Sequence, residues 1–232
     1  MPIYISEKYQ QAVDEAFVSE TLLLAMPALI KSAVKLDGRG ETFIRDSEPP
    51  VITKRYRRGG MIGKILRHSY LRIYGCQPRM LEELELLEQL MALELPAPKP
   101  IAAVIEKHSL FYSGYLLMEF IPDTNTLASF LLKKELTPLT WQKIGKTIRR
   151  FHDASVFHAD LNATNILLDK DENIYLIDFD KSEIRTEQKT AWKTKNLARL
   201  LRSLRKIKRN HQNLLFHQDD WDHLINAYQN SI

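Results

Sequence analysis

Four side chains in the second half of the chain are spaced for phosphoryl transfer. His158, Asp160 and Asn165 fit the pattern H-x-D-x-x-x-x-N, and Asp178 follows the apolar run Ile174-Tyr175-Leu176-Ile177. Moving a phosphoryl group onto a hydroxyl requires a carboxylate that orients the hydroxyl and accepts its proton. It also requires oxygen ligands that hold a metal against the phosphates. Asp160 suits the first role. Asn165 offers a neutral carbonyl oxygen and Asp178 an anionic one, a mixture that hard Mg²⁺ accepts. Taken singly, Asp160 and Asn165 also read as turn residues, and Asp178 as a cap. The two halves in this order, joined through a hairpin, make accident a poor account.

The elements around these residues divide the chain by character. Residues 7–35 read as helical, and Asp37-Gly38-Arg39-Gly40 as a tight turn. Strands are expected at 42–45 and 51–56, with Pro49 and Pro50 breaking the path between them. A helix over 79–94 carries Leu84, Leu87, Leu90, Met91 and Leu95 at helical spacing among glutamates, and Pro96, Pro98 and Pro100 end it. Two more strands follow at 101–105 and 115–120. Beyond them, helices are expected over 126–134 and 140–154. A hairpin joins 166–169 to 174–177 around Asp171-Glu172-Asn173. A basic helix over 190–208 and a last helix over 219–229 complete the chain. A sheet-rich half followed by a helical half predicts an α+β protein of two lobes, 1–118 and 119–232, with a cleft between them as the natural ligand site.

Bulk composition agrees with a folded protein. The chain has 232 residues, 44% of them hydrophobic, enough to bury a core. The net charge of +4 suits an anionic partner without naming one. Cys76 is the single cysteine, so no internal disulfide or zinc cluster is expected, and a reducing compartment follows. We read Cys76 as a small core or surface residue and not as a nucleophile. No secretory signal pattern is evident, and Pro27 interrupts the most apolar run, Leu22 to Ile30, which is shorter than the roughly 20 residues of a membrane span. A cytosolic or membrane-surface protein is therefore expected.

His158, Asp160 and Asn165, followed by Asp178, resemble the catalytic loop and the D-F-G metal aspartate of the protein-kinase-like superfamily. Asp180 stands where that motif has glycine, and no A-P-E sequence follows. The resemblance thus implies a protein-kinase-like fold with a small sheet-rich N-lobe and a reduced helical C-lobe, without a full activation segment. That favours a small molecule or glycan over a protein as acceptor. With the same template, Gly38, Arg39 and Gly40 become a phosphate-approaching loop, although the third glycine of G-x-G-x-x-G falls at Phe43 and a plain hairpin turn serves as well. Val51-Ile52-Thr53-Lys54 resembles the V-A-I-K strand and implies that Lys54 meets the ATP phosphates. Such a lysine is held by a glutamate of the next helix. Of Glu82, Glu83 and Glu85 we choose Glu83, flanked by Met80, Leu84 and Leu87. Met118-Glu119-Phe120 becomes the connection between lobes, with Glu119 beside adenine.

Two intervals carry no acidic residue, Glu48 to Glu82 and Glu187 to Asp219. The second holds Lys193, Lys195, Arg199, Arg202, Arg205, Lys206, Lys208 and Arg209 beside a leucine stripe. It reads as a core helix with a solvated basic face, or as a surface for anionic lipid. Aromatic platforms are not interleaved with these charges, so nucleic acid is not expected. The first interval includes Arg55-Tyr56-Arg57-Arg58-Gly59-Gly60. This segment, with Gly38-Arg39-Gly40, Glu83, Pro96 to Pro100, His158 to Leu168 and Ile177 to Ser182, resembles the bacterial lipopolysaccharide kinase family over nearly the whole chain. The resemblance implies an ATP- and Mg²⁺-dependent enzyme on the cytoplasmic face of the inner membrane of a Gram-negative bacterium. Its implied acceptor is the 4-hydroxyl of a 3-deoxy-D-manno-octulosonic acid (Kdo) sugar on a lipid A precursor. Arg57 and Arg58 are candidates to hold that anionic acceptor; the alternatives are an ATP phosphate or a solvated loop. A heptose or soluble small-molecule kinase, or a nucleotide- or lipid-binding pseudokinase, are the competing readings. Intact Lys54, Asp160, Asn165 and Asp178 argue against the last.

Overall fold

A computed structural model describes residues 1–31, 41–56, 70–71, 77–108, 111–186 and 190–230. Gly38, Arg39, Gly40, Arg57, Arg58 and Cys76 lie outside the described residues. The chain divides into two compact units. The first comprises Met1–Glu88 and Pro98–Phe120, the second Gln89–Ala97 and Ile121–Ile232.

The first unit is built on an antiparallel sheet of β1 (Ile3–Ile5), β2 (Glu41–Arg45), β3 (Val51–Arg55), β4 (Tyr70–Leu71), β5 (Pro100–His108) and β6 (Phe111–Glu119). Its order is β1-β5-β6-β3-β2, with β4 pairing the start of β6. Residues 112–118 of β6 are all buried, as expected of a central strand covered on both faces. Register assigns those faces. Lys54 lies opposite Leu116 and Ile52 opposite Met118, so all four share one face; Thr53 and Val51 share the other with Leu117. On the latter face, Val18, Leu22 and Ala25 of α1 (Glu15–Lys31) pack with Val51, Val104, Tyr115 and Leu117. The helix expected over 7–35 starts later because Asp14 caps it, its Oδ1 accepting from Phe17 N at 2.7 Å. Only a short 3₁₀ turn, Glu7–Tyr9, precedes it.

The opposite face receives α2 (Arg79–Ala92). A Cβ on Gly114 would lie 2.7 Å from Met80 Cε and 2.3 Å from Val104 O, so glycine in β6 is what lets the helix sit this close. The helix ends in a Schellman pattern: Leu95 N donates to Leu90 O and Glu94 N to Met91 O, with Glu94 in the left-handed region at φ 52°.

Residues 89–97 group with the second unit and not with the strands before them, a difference from a simple division at residue 118. The cause lies in their hydrogen bonds: Arg150 Nη2 donates to Glu94 O, and Leu176 N donates to Pro96 O. In this unit α3 (Leu127–Leu131) and α4 (Pro138–Asp153) are each capped by a threonine, Thr126 and Thr137. α4 packs tightly on α6 (Gln218–Asn230), since a Cβ on Gly145 would meet Leu224 O at 2.2 Å. α5 spans Ala191–Asn210. Two small ladders complete the unit. β9 (Ile166–Leu168) pairs with β10 (Ile174–Leu176) and with β7 (Asn125–Thr126), as the sequence hairpin required, and β8 (Val156–Phe157) pairs with β11 (Glu183–Ile184). The consequence is that segment 158–165 runs from β8 to β9 while 177–182 runs from β10 to β11. Both polar loops are therefore clamped at each end by the same two ladders.

Candidate active site

In the first unit the β3 register carries Lys54 and, two residues on, Tyr56 to the α2 face. Glu83 projects from α2 to meet them. Lys54 Nζ donates to both carboxylate oxygens of Glu83, at 3.0 and 2.8 Å, and the Tyr56 hydroxyl donates to Glu83 Oε2. The lysine also lies 5.1 Å from the Tyr56 ring centroid, in cation–π range. The Glu83 side chain is 2% exposed and that of Lys54 15%. Glu82 is exposed and Glu85 half-buried, so Glu83 is the member of that trio that meets the lysine. A carboxylate this deep requires partners on its oxygens. Tyr56 is one that sequence reasoning missed, although its two-residue spacing from Lys54 marks the same strand face.

Glu119 closes β6. Its amide donates to Lys99 O at 2.8 Å, and its carboxylate accepts from Tyr9 Oη at 2.9 Å and pairs with Lys99 Nζ at 3.2 Å. Burial, followed by the hydrogen bond to Glu119, pushes the Tyr9 hydroxyl far above its ordinary range.

In the second unit, the loop from His158 to Asn165 is held mainly by its own polar groups. His158 Nδ1 accepts from Asp160 N at 3.2 Å while Nε2 donates to Ile177 O at 3.0 Å. A ring that accepts at one nitrogen and donates at the other is fixed in a single tautomer. It ties the backbone of Asp160 to the residue before Asp178. Asn165 Nδ2 donates to Asp160 O at 3.0 Å, and Ile177 N donates to Asn165 O at 3.0 Å. These bonds lock Asp160, Asn165 and Asp178 into one constellation. Asn162 closes an Asx turn inside the loop, its Oδ1 accepting from Thr164 N. Beneath it, Phe179 is buried between Phe151 and His158, with ring centroids 5.8 and 4.8 Å away. Burying Phe179 turns its neighbour Asp178 outward, in the left-handed region at φ 65°.

Asn196 of α5 supports the loop from behind, donating to His158 O at 3.0 Å and accepting from His158 N at 3.3 Å. The same Oδ1 lies 3.4 Å from His152 Nε2, and Tyr228 Oη lies 2.8 Å from His152 Nδ1. Burial, above all, lowers the His152 pKa from 6.5 to about 4, so the imidazole is neutral at physiological pH. Arg199, one helical turn beyond Asn196, reaches Asp160 Oδ1 with Nη1 at 2.6 Å. Sequence reasoning counted Arg199 only as one of a basic run. Its contact follows from a loop whose position residue types do not reveal.

With Nδ2 of Asn165 directed at Asp160 O, its Oδ1 is the atom left for a metal, and the Asp178 carboxylate is exposed. These are two hard oxygen donors, the small protein contribution typical of Mg²⁺ that keeps water and phosphate ligands. Among the described residues no group of three or more His, Cys, Asp or Glu side chains could form a closed metal cage.

A family model for the lipopolysaccharide kinase (Kdo/WaaP) family matches residues 31–228. The chain belongs to the lipopolysaccharide kinase family. Membership makes it a phosphotransferase with an alcohol group as acceptor. Similar proteins include a 3-deoxy-D-manno-octulosonic acid kinase of Photobacterium profundum, 39% identical over 193 residues, 83% of this chain and 80% of the relative. One from Vibrio cholerae is 39% identical over 170 residues, covering 73% and 72%. One from Mannheimia succiniciproducens is 40% identical over 202 residues, covering 83% and 82%. The match to this lipopolysaccharide kinase family spans both the Lys54–Glu83 pair and the His158–Asp178 constellation.

Proposed function

We propose that the protein transfers the γ-phosphoryl group of ATP to the 4-hydroxyl of a Kdo sugar on a lipid A precursor, in a protein-kinase-like fold. The observation that carries the reading is the shared lock on Asp160, Asn165 and Asp178 through the His158 ring and the Asn165 amide. It fixes a base and two metal ligands relative to one another before any substrate arrives, and preorganisation of this kind is what phosphoryl transfer draws on. Asp160 orients the acceptor hydroxyl and takes its proton as the new O–P bond forms. The bond from the γ-phosphorus to the bridging oxygen breaks, and ADP leaves. Asn165 Oδ1 and the Asp178 carboxylate would hold Mg²⁺, which neutralises charge on the phosphates. Lys54, kept in place by Glu83, holds the α- and β-phosphates. Gly38, Arg39 and Gly40 are assigned to the phosphate loop, and Glu119 to adenine. The Glu119 amide already serves Lys99 O, so that contact would come from the Glu119 carbonyl.

The acceptor reading rests on the similarity to kinases named for Kdo and on a net charge of +4. Arg57 and Arg58 are assigned to the anionic acceptor. No helix among the described residues is long and apolar enough to cross a membrane, and peripheral contact with the cytoplasmic face of the inner membrane is part of this proposal. The test is incubation with ATP, Mg²⁺ and Kdo-modified lipid A precursor. The expected product gains one phosphate by mass spectrometry, and phosphorus–proton NMR correlation puts it on the 4-position. A wild-type protein that consumes ATP only with a Kdo-free acceptor overturns the reading.

A further inference from the structure

The basic helix α5 carries an arrangement that its charge count does not reveal. Lys195, Arg199, Arg202 and Lys206 are spaced by four, three and four residues, so they fall on one face. All four are exposed. The stripe runs for roughly 16 Å at 1.5 Å per residue. α5 contains no acidic residue. An adjacent edge of the same helix faces the catalytic loop: Asn196 holds His158, and Ser203 Oγ accepts from Ala163 N at 3.2 Å. The cationic stripe therefore borders the loop that bears Asp160.

Arg199 joins the two. Its Nη1 donates to Asp160 Oδ1 at 2.6 Å, and among the described residues the guanidinium makes no other hydrogen bond. The side chains are 48% and 54% exposed. An ion pair so open to water adds at most about 1 kcal/mol to stability, so fold stability does not account for it. A guanidinium offers five N–H donors in a rigid fork. One edge on Asp160 leaves the rest directed at solvent beside the base.

We propose that Arg199 is a positioning residue that grips an anionic group of the acceptor sugar while anchoring Asp160, and that Arg202, Lys195 and Lys206 extend this grip to the acceptor's further negative charges. This deepens the proposed function and rests on its anionic sugar acceptor. Chemically the ligand is a carboxylate-bearing sugar carrying phosphate groups on the attached lipid. The carboxylate meets Arg199, since a planar fork matches a carboxylate by two parallel hydrogen bonds. The phosphates meet the rest of the stripe. Anchoring base and acceptor through one guanidinium sets the distance between hydroxyl and Asp160, the source of proximity in such a transfer.

The test uses the full-length chain with ATP, Mg²⁺ and Kdo-modified lipid A precursor in neutral detergent micelles, so that no membrane contributes. Arg199→Gln is expected to raise the acceptor KM at least tenfold and lower kcat, with the ATP KM unchanged within twofold. Arg199→Lys, which keeps charge but loses the fork, should recover less than half of the lost kcat/KM. Arg202→Gln combined with Lys206→Gln should raise the acceptor KM several-fold at low salt. That effect should shrink as ionic strength approaches physiological, where screening acts over about 8 Å. Lys146→Gln, an exposed cation on α4, removes the same charge elsewhere and should change nothing. The inference is overturned if Arg199→Gln lowers kcat with the acceptor KM unmoved, the mark of a residue that only orients Asp160. It is equally overturned if the stripe variants lose binding to anionic phosphatidylglycerol vesicles while the acceptor KM in micelles stays at the wild-type value. A wild type inactive on the Kdo acceptor is a different result, and refutes the acceptor assignment itself.

Discussion

Lys54 and Glu83 meet in the interior of the first unit, whereas Asp160 and Arg199 meet at the surface of the second. In the first pair the carboxylate is 2% exposed and accepts from Lys54 on both oxygens and from Tyr56 on one. In the second, both side chains are about half exposed and share a single contact. The buried pair is a structural commitment: each charge depends on the other to remain in a low-dielectric site. The exposed pair owes its geometry to the backbone instead, through His158, Asn165 and Asn196, and leaves the Asp160 side chain about half open to water. The same kind of ion pair thus couples function to stability in one place and separates them in the other.

Asp160→Ala tests that separation and has the largest expected effect on rate. Loss of the proposed base should lower kcat by about 10²–10⁴-fold. Stability should move by no more than about 1 kcal/mol, because the side chain lies at the surface and its pairing is weak. Urea denaturation alongside turnover checks both. A stability loss of several kcal/mol would place Asp160 in the first class.

Glu83→Ala is expected to fail on both counts. It leaves the Lys54 charge without its carboxylate and should destabilise by about 3–5 kcal/mol while abolishing most turnover. Lys54→Ala combined with Glu83→Ala should be little worse than the worse single variant, since the first mutation already removes the contact the two share. Additive losses in a double-mutant cycle would show that the two act independently.

Titration probes the second unit directly. His152, behind the loop from His158 to Asn165, is buried neutral with a pKa lowered from 6.5 to about 4 by desolvation first. Folding favours the neutral imidazole, so the stabilisation is complete above pH 6.5. It is lost as the unfolded chain takes up the proton on acidification, and levels off near pH 4. The whole shift is worth about 3 kcal/mol, of which about 2 kcal/mol falls between pH 6.5 and 5, before most carboxylates titrate. Urea midpoints across that window should fall in the wild type and stay flatter in His152→Gln. An equal slope in both would remove His152 as the source.

The fold was legible where periodicity is strong. Leucines at helical spacing marked α2, and two apolar triplets around Asp171 and Asn173 marked the β9–β10 ladder. The short strands β1, β7, β8 and β11 were not legible, because, unlike β9 and β10, they carry no apolar triplet beside a turn signal and exist only through their partners. The break in the helix over 7–35 depended on Asp14, a capping residue indistinguishable by type from a solvated one. At the candidate site, His158, Asp160, Asn165 and Asp178 are close in sequence and fixed by motif. Arg199 is 39 residues from Asp160 and is joined to it only by the packing of α5, which no local pattern encodes. Choosing Glu83 over its neighbours needed only the apolar stripe of α2, since the residue that follows the stripe inward is the one that meets β3.

Tyr56→Phe is the smallest expected effect and the finest probe of the contrast between the pairs. The phenol ring is 2% exposed, so phenylalanine keeps the packing and removes only the hydroxyl. Glu83 Oε2 then retains Lys54 as a donor and loses one of its partners. A hydrogen bond to a charged group contributes about 1.5–3 kcal/mol, and the surviving lysine contact puts the loss at the lower end, about 1.5 kcal/mol. Turnover should fall less than about tenfold, because Lys54 and Glu83 still pair. If the tyrosine merely fills space, both values stay at wild type. If instead it helps keep the glutamate in its rotamer, Tyr56→Phe should also enlarge the penalty of Lys54→Ala beyond the sum of the two single losses, since Glu83 would then have lost the contacts from both. That double-mutant cycle distinguishes a three-membered buried cluster from a lysine–glutamate pair with a tyrosine nearby.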